Sequence, residues 1–151
     1  MKLRLLIAIF VAVIVAAAGC SSDSDDPAEV VEQYVAAYNG GDIDAVMAVF
    51  TEDAVMYGHP IAEDHESAGY SAIWSVHVAD LANASTDAYS ISNIEVDGDT
   101  VTWDHVWMNH RGDAFCQVGQ SAVIKDGKIL TWTWPPSDGS GNSEQPHPAC
   151  S

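Results

Sequence analysis

The segment VVEQYVAAYNGGDIDAVMAVFTEDA, Val30–Ala54, decides the fold. Val30, Val31, Tyr34, Val35 and Tyr38 recur at helical spacing, which places Tyr34 on an apolar helix face. Asn39-Gly40-Gly41 stops that helix, and Asp42 is positioned to cap a second one carrying Ile43, Val46, Met47 and Phe50 as its buried stripe. Upstream, Asp26-Pro27 reads as a helix start, with an acceptor side chain at the cap and proline in the first turn. Downstream, Ala54 to Tyr57 is short and strand-like, Gly58 to Ser67 is irregular and rich in His, Asp and Glu, and a third helix is predicted from about Ser71 to Leu81.

From Thr86 the pattern changes to alternation broken by turns. Asp97-Gly98-Asp99, His110-Arg111-Gly112-Asp113 and Lys125-Asp126-Gly127 separate four predicted strands, at 87–96, 100–109, 114–124 and 128–134. Three helices followed by an antiparallel meander is an α+β arrangement with the helices on one face of the sheet. Pro135-Pro136 ends the sheet. There is no internal repeat and no nucleotide-binding glycine motif, so no cofactor is expected.

The two-helix opening resembles that of the cone-shaped proteins related to nuclear transport factor 2, the SnoaL-type polyketide cyclases and the ketosteroid isomerases. The resemblance extends over about Val30 to Trp134. It implies three N-terminal helices on a curved antiparallel sheet that surrounds one apolar pocket. Fold alone does not give function.

The N-terminus carries an address. Met1-Lys2-Leu3-Arg4 is basic, and Leu5 to Ala18 is apolar and uncharged, too short for a comfortable permanent span. Ala17-Ala18-Gly19-Cys20 resembles the bacterial lipoprotein box, which implies that residues 1–19 are a signal peptide and that Cys20 is lipidated; cleavage elsewhere, as an ordinary secretory signal, is the plainer alternative. Residues 20–26 are then a hydrated tether, 27–136 the domain and 137–151 a tail rich in Pro, Gly and Ser. The protein is expected outside the cytoplasm, held to the cell membrane. In that compartment Cys116 and Cys150 are expected to form a structural disulfide, against two unpaired thiols as the alternative.

Charge narrows the partners. The chain has a formal net charge of −17; without Lys2 and Arg4 its 22 acids face only Arg111, Lys125 and Lys128, for −19. Such a surface repels nucleic acid, which is excluded as a partner. His59, His65, His77, His105, His110 and His147 are dispersed, with no helical pair or Cys/His spacing of a metal site, so no functional metal is expected.

The resemblance also supplies site candidates. Tyr34, within Gln33-Tyr34-Val35-Ala36-Ala37, falls on the isomerases' oxyanion-donor tyrosine; it reads equally as a core aromatic. The position of the family's carboxylate base falls on Gly58, or with one inserted residue on His59, which precedes Pro60. No carboxylate stands at either place. The second donor's position falls on Gln120, an amide where the family has a protonated acid.

On Val101–Met108, period two sets Trp103, His105 and Trp107 on one face and Asp104, Val106 and Met108 on the other. The resemblance turns the Trp-His-Trp face inward, together with Trp132 and Trp134. These tryptophans either line a pocket for a flat hydrophobic ligand or fill the cone as core.

Two functions follow. One is a binding module for a small hydrophobic ligand or a protein partner, without catalysis. The other is an isomerase or cyclase moving a proton on a small hydrophobic carbonyl compound, with Tyr34 polarising, His59 or His105 shuttling and Gln120 orienting. The missing carboxylate favours the first. A homodimer through the outer sheet face is compatible with both.

Overall fold

The computed structural model describes residues 26–59, 66–112 and 114–135. The signal peptide, Cys20, the tether's residues 20–25, Pro60, His65, His147, Cys150 and the tail lie outside the described residues. Three helices lie against one six-stranded sheet. They are α1 (Pro27–Asn39), α2 (Ile43–Ala48) and α3 (Tyr70–Leu81); the strands are β1 (Phe50–Tyr57), β2 (Glu66–Ala68), β3 (Ala84–Asp97), β4 (Thr100–Asn109), β5 (Ala114–Lys125) and β6 (Lys128–Thr133). Among the described residues no helix is long and apolar enough to cross a membrane.

The helix starts follow the cap chemistry in the sequence. The Asp26 side chain accepts from the Ala28 amide at 3.0 Å, and Asp42 accepts from the Ala45 amide at 3.0 Å. Gly41, at φ +67°, supplies the left-handed residue that turns α1 into α2. Val30, Val31, Tyr34 and Tyr38 are buried from α1, and Val46 and Met47 from α2.

Strand order is β2-β1-β6-β5-β4-β3. β3 to β6 form the antiparallel meander expected from the turns. The sheet as a whole is mixed rather than wholly antiparallel, because β1 pairs parallel to β6. The long connection from β1 to β6, through β2, α3 and the strands β3 to β5, carries the chain across, as a parallel pairing requires. β1 begins at Phe50, four residues before the predicted start, and β2 lies within the segment read as irregular.

The register shifts between Ser92 and Glu95 on β3 and between Trp103 and His105 on β4–β5 add curvature to the sheet, as irregularities of this kind do. Asn39, the last residue of α1, fixes the helix to the sheet. Its Nδ2 donates to the Tyr89 carbonyl at 2.7 Å and its Oδ1 accepts from the Tyr89 amide at 2.9 Å. The core then gathers between helices and sheet around Tyr34, Met47, Phe50, Met56, Ile73, Trp103, Ile129 and Trp132.

Candidate functional site

The concave interior is aromatic. Tyr34, 1 % exposed, stands edge-on to Trp132 at 4.6 Å between ring centres and to Tyr89 at 5.5 Å. Trp132 meets Trp103 edge-on at 5.3 Å, and both are buried. On β4, Trp103 and His105 are buried, as is Val106 from the opposite set, and the half-buried Trp107 donates its Nε1 hydrogen to the Tyr38 hydroxyl at 2.8 Å. Trp132 and Trp134 also point inward, with the half-buried Trp134 next to His59 and His105. Trp103 and Trp132 therefore act as core, and Trp107 and Trp134 as its partly covered rim.

Gln120 is fully buried, and its amide is engaged at both ends. The oxygen accepts from the Tyr89 hydroxyl at 3.2 Å and from Trp132 Nε1 at 3.1 Å; the nitrogen donates to Gln117 at 2.9 Å. Burial raises the Tyr34 hydroxyl's pKa well above its ordinary value, with smaller contributions from Tyr89, Tyr38 and Asp80. Tyr34 is thus a permanent O–H donor, and no described residue accepts its hydrogen bond.

His59 lies just beyond β1, after Gly58, and is 1 % exposed. Its Nε2 lies 3.0 Å from Asp80 Oδ2 near the end of α3. Asp80 is the carboxylate that a search at the family's base position misses, because it arrives from another element. Its charge adds, after burial, to the raised pKa of Tyr34, Tyr38 and Tyr89.

His105 stacks on Tyr89 at 4.9 Å, nearly parallel, and meets Trp134 edge-on at 5.1 Å. Its pKa is lowered to about 3, first by burial and then by His59, so the ring is neutral at pH 7. Asp104, on the opposite face, accepts from Asn93 Nδ2 at 2.7 Å and the Gly119 amide at 2.8 Å. It braces the bulged strands and is not part of the interior.

His77 on α3 also enters the interior, a position that the spacing in the sequence did not single out. It is fully buried among Tyr34, Phe50, Tyr38 and Trp132. Tyr34, His59, His105 and Gln120 thus share one interior, bridged by Tyr89, Trp132 and Trp134. Among the described residues no group of three or more His, Cys, Asp or Glu is arranged to hold a metal ion. Cys116 is buried on β5; the partner expected for it, Cys150, is outside the described residues.

Comparison with known proteins agrees with this architecture. Residues 31–132 match the SnoaL-like domain. A candidate polyketide cyclase from Sinorhizobium meliloti is 25% identical, with a TM-score of 0.59 over 71% of this chain and 94% of that one. A hypothetical protein with a ketosteroid isomerase-like fold from Catenulispora acidiphila, solved with trimethylamine, is 22% identical, with a TM-score of 0.60 over 74% and 88%. A cystatin-fold protein from Novosphingobium aromaticivorans is 17% identical, with a TM-score of 0.61 over 73% and 97%. No curated protein matches the chain in sequence. With the matched model spanning most of its length, the chain belongs to the SnoaL-like domain family.

Proposed function

We propose that this SnoaL-like domain binds a small, flat, hydrophobic compound bearing a carbonyl or similar acceptor oxygen, without transforming it. The supporting observation is the Tyr34 hydroxyl, a buried donor with no described acceptor, on a ring set edge-on to Tyr89 and Trp132. Aromatic walls favour a flat ligand, and a single donor orients it. Gln120 is already committed to Tyr89, Trp132 and Gln117, which suits a rigid wall.

A second reading, proton transfer of the isomerase or cyclase kind, is favoured by the His59–Asp80 pair. A carboxylate 3.0 Å from an imidazole is the kind of pairing found where a histidine serves as a general base. The likeness to a candidate polyketide cyclase leans the same way.

The domain is proposed to act outside the cytoplasm, anchored by lipid on Cys20, with Cys116–Cys150 as a staple for the tail. The support is the apolar run ending in Ala17-Ala18-Gly19-Cys20 and the even cysteine pair left after lipidation. A Cys20→Ser chain recovered in the soluble fraction, with wild type in the membrane fraction, is the expected result. Equal partition would overturn the anchor. A homodimer remains part of the same proposal.

The ligand test is a thermal-shift screen of Ser21–Ser151 against steroids, terpenoids, polyketide-like aromatics and fatty acids. One class is expected to raise the melting temperature saturably, at about 2.7 kcal/mol of stabilisation for a ligand at 100 times its Kd. Tyr34→Phe and His105→Ala are expected to weaken the shift. Turnover of the bound compound, lost in His59→Ala, would replace the binding reading with the enzymatic one.

A further inference from the structure

The His77 ring is in an unusual position for an ionisable group. It is 0 % exposed, and neither Nδ1 nor Nε2 has a hydrogen-bond partner. Around it stand Tyr34 and Phe50, each at 5.5 Å between ring centres, with Trp132 at 6.3 Å and Tyr38 at 6.4 Å. Buried polar atoms without partners are uncommon in native proteins. Here the unmet nitrogens are on the one buried polar side chain of α3, whose other inward residues are Ile73 and Val76.

Consider a proton added to that ring. From α1, Tyr34 and Tyr38 offer neutral hydroxyls with raised pKa values. From β1 and β6, Phe50 and Trp132 offer aromatic rings alone. The charged or chargeable neighbours are His59, whose charge opposes that of His77, and Asp80 on α3 itself, which lies against His59. No carboxylate compensates the imidazolium. Cation–π attraction to the neighbouring rings returns less than burying an unpaired charge costs. The closed packing accordingly admits only neutral His77.

The helix that carries it has no side-chain cap at its start, where the Gly69 amide donates to the Ala54 carbonyl at 2.7 Å. α3 has Gly69 as its N-cap, at φ +79° and with no side-chain capping bond, and it is preceded by the three-residue β2. Its C-terminal end is fixed by the Asp80–His59 contact and by the Asn83 carbonyl, which accepts from the His110 amide at 2.9 Å. Behind the helix lie Tyr34 and Trp132.

We propose that α3 is a proton-released cover over the aromatic interior, with His77 as its latch. In the open state His77 meets water and titrates at an ordinary value near 6.5. In the closed state it stays neutral. Each pH unit below about 6.5 then multiplies the open fraction about tenfold, because one proton is taken up on opening. Acidification uncovers Tyr34 and lets a ligand enter or leave.

The test is amide hydrogen exchange on the full chain at pH 7.5, 6.5, 5.5 and 4.5, corrected for the intrinsic pH dependence of exchange. Protection of the α3 amides is expected to fall about tenfold per unit below pH 6.5, always remaining lower than that of β4 and β5. His77→Phe, or His77→Gln should the first variant fail to fold, is expected to make α3 protection independent of pH while β4 and β5 keep their own dependence. Two results would overturn the proposal. One is α3 exchanging at the same rate as β4 and β5 at each pH; the other is the dependence persisting in a folded His77 variant.

Discussion

Gln120 shows how much one buried amide can determine. Its oxygen is shared by the Tyr89 hydroxyl and the Trp132 indole, two buried donors on different strands. Gln120→Leu keeps the volume and removes the acceptor, leaving both donors unmet at roughly 1–3 kcal/mol each. The expected loss is about 2–6 kcal/mol, read as a lower urea midpoint with an unchanged slope. A loss below about 0.5 kcal/mol would show that the rings find other partners. Tyr34→Phe is expected to behave oppositely. With no described acceptor for its hydroxyl, the substitution should change stability by less than about 1 kcal/mol, while ligand affinity falls. Tyr34, His59, His105 and Gln120 were all legible in the sequence, because a family motif or strand alternation placed them. His77 and Asp80 were not. Tyr70, Ile73, Trp74, Val76 and Val78 make α3 apolar on both sides, so its sequence gives no preferred inward face. His77 shares the buried face of Ile73 four residues earlier, a signal visible only once Ile73 is known to be core.

Among the elements, the turn after β1 sets the rim of the interior. Gly58 has φ +75°, and a Cβ there would lie 2.7 Å from the Trp134 carbonyl oxygen. That carbonyl belongs to the residue whose amide donates to Tyr57 at 2.8 Å, so the strands cannot separate cheaply. Gly58→Ala therefore meets both backbone strain and a clash. The expected cost is at least about 1–3 kcal/mol, together with a shift in tryptophan emission as Trp134 leaves His59 and His105. An unchanged melting temperature and spectrum would contradict this account. The four-strand meander was readable because each Gly/Asp turn interrupts a clear alternation. β1 was underestimated because Glu52 and Asp53 are exposed in mid-strand and the register shifts between Phe50 and Val55. β2 was missed because three residues are too few for a period, and it pairs only with β1.

For the molecule as a whole, His77 and His105 link stability to pH. Burial lowers both to about 3, so each stays neutral in the fold while an unfolded histidine protonates near 6.5. Between these limits the unfolded chain binds more protons. Stability is therefore complete above about pH 7 and falls as pH drops towards 3, approaching about 1.4 kcal/mol per unit for each histidine. Urea midpoints at pH 8, 6 and 5 should decline below pH 6.5, and a flat profile would refute the linkage. The mixed sheet has a different consequence, one of timing. β1 is made early, yet its parallel neighbour β6 is the last strand made, and β6 also joins β1 to the meander. A growing chain cannot close the sheet until Lys128–Thr133 has emerged, since no earlier segment occupies that central place. On the proposed export, such a late keystone would keep the polypeptide in a threadable state until β6 has been made.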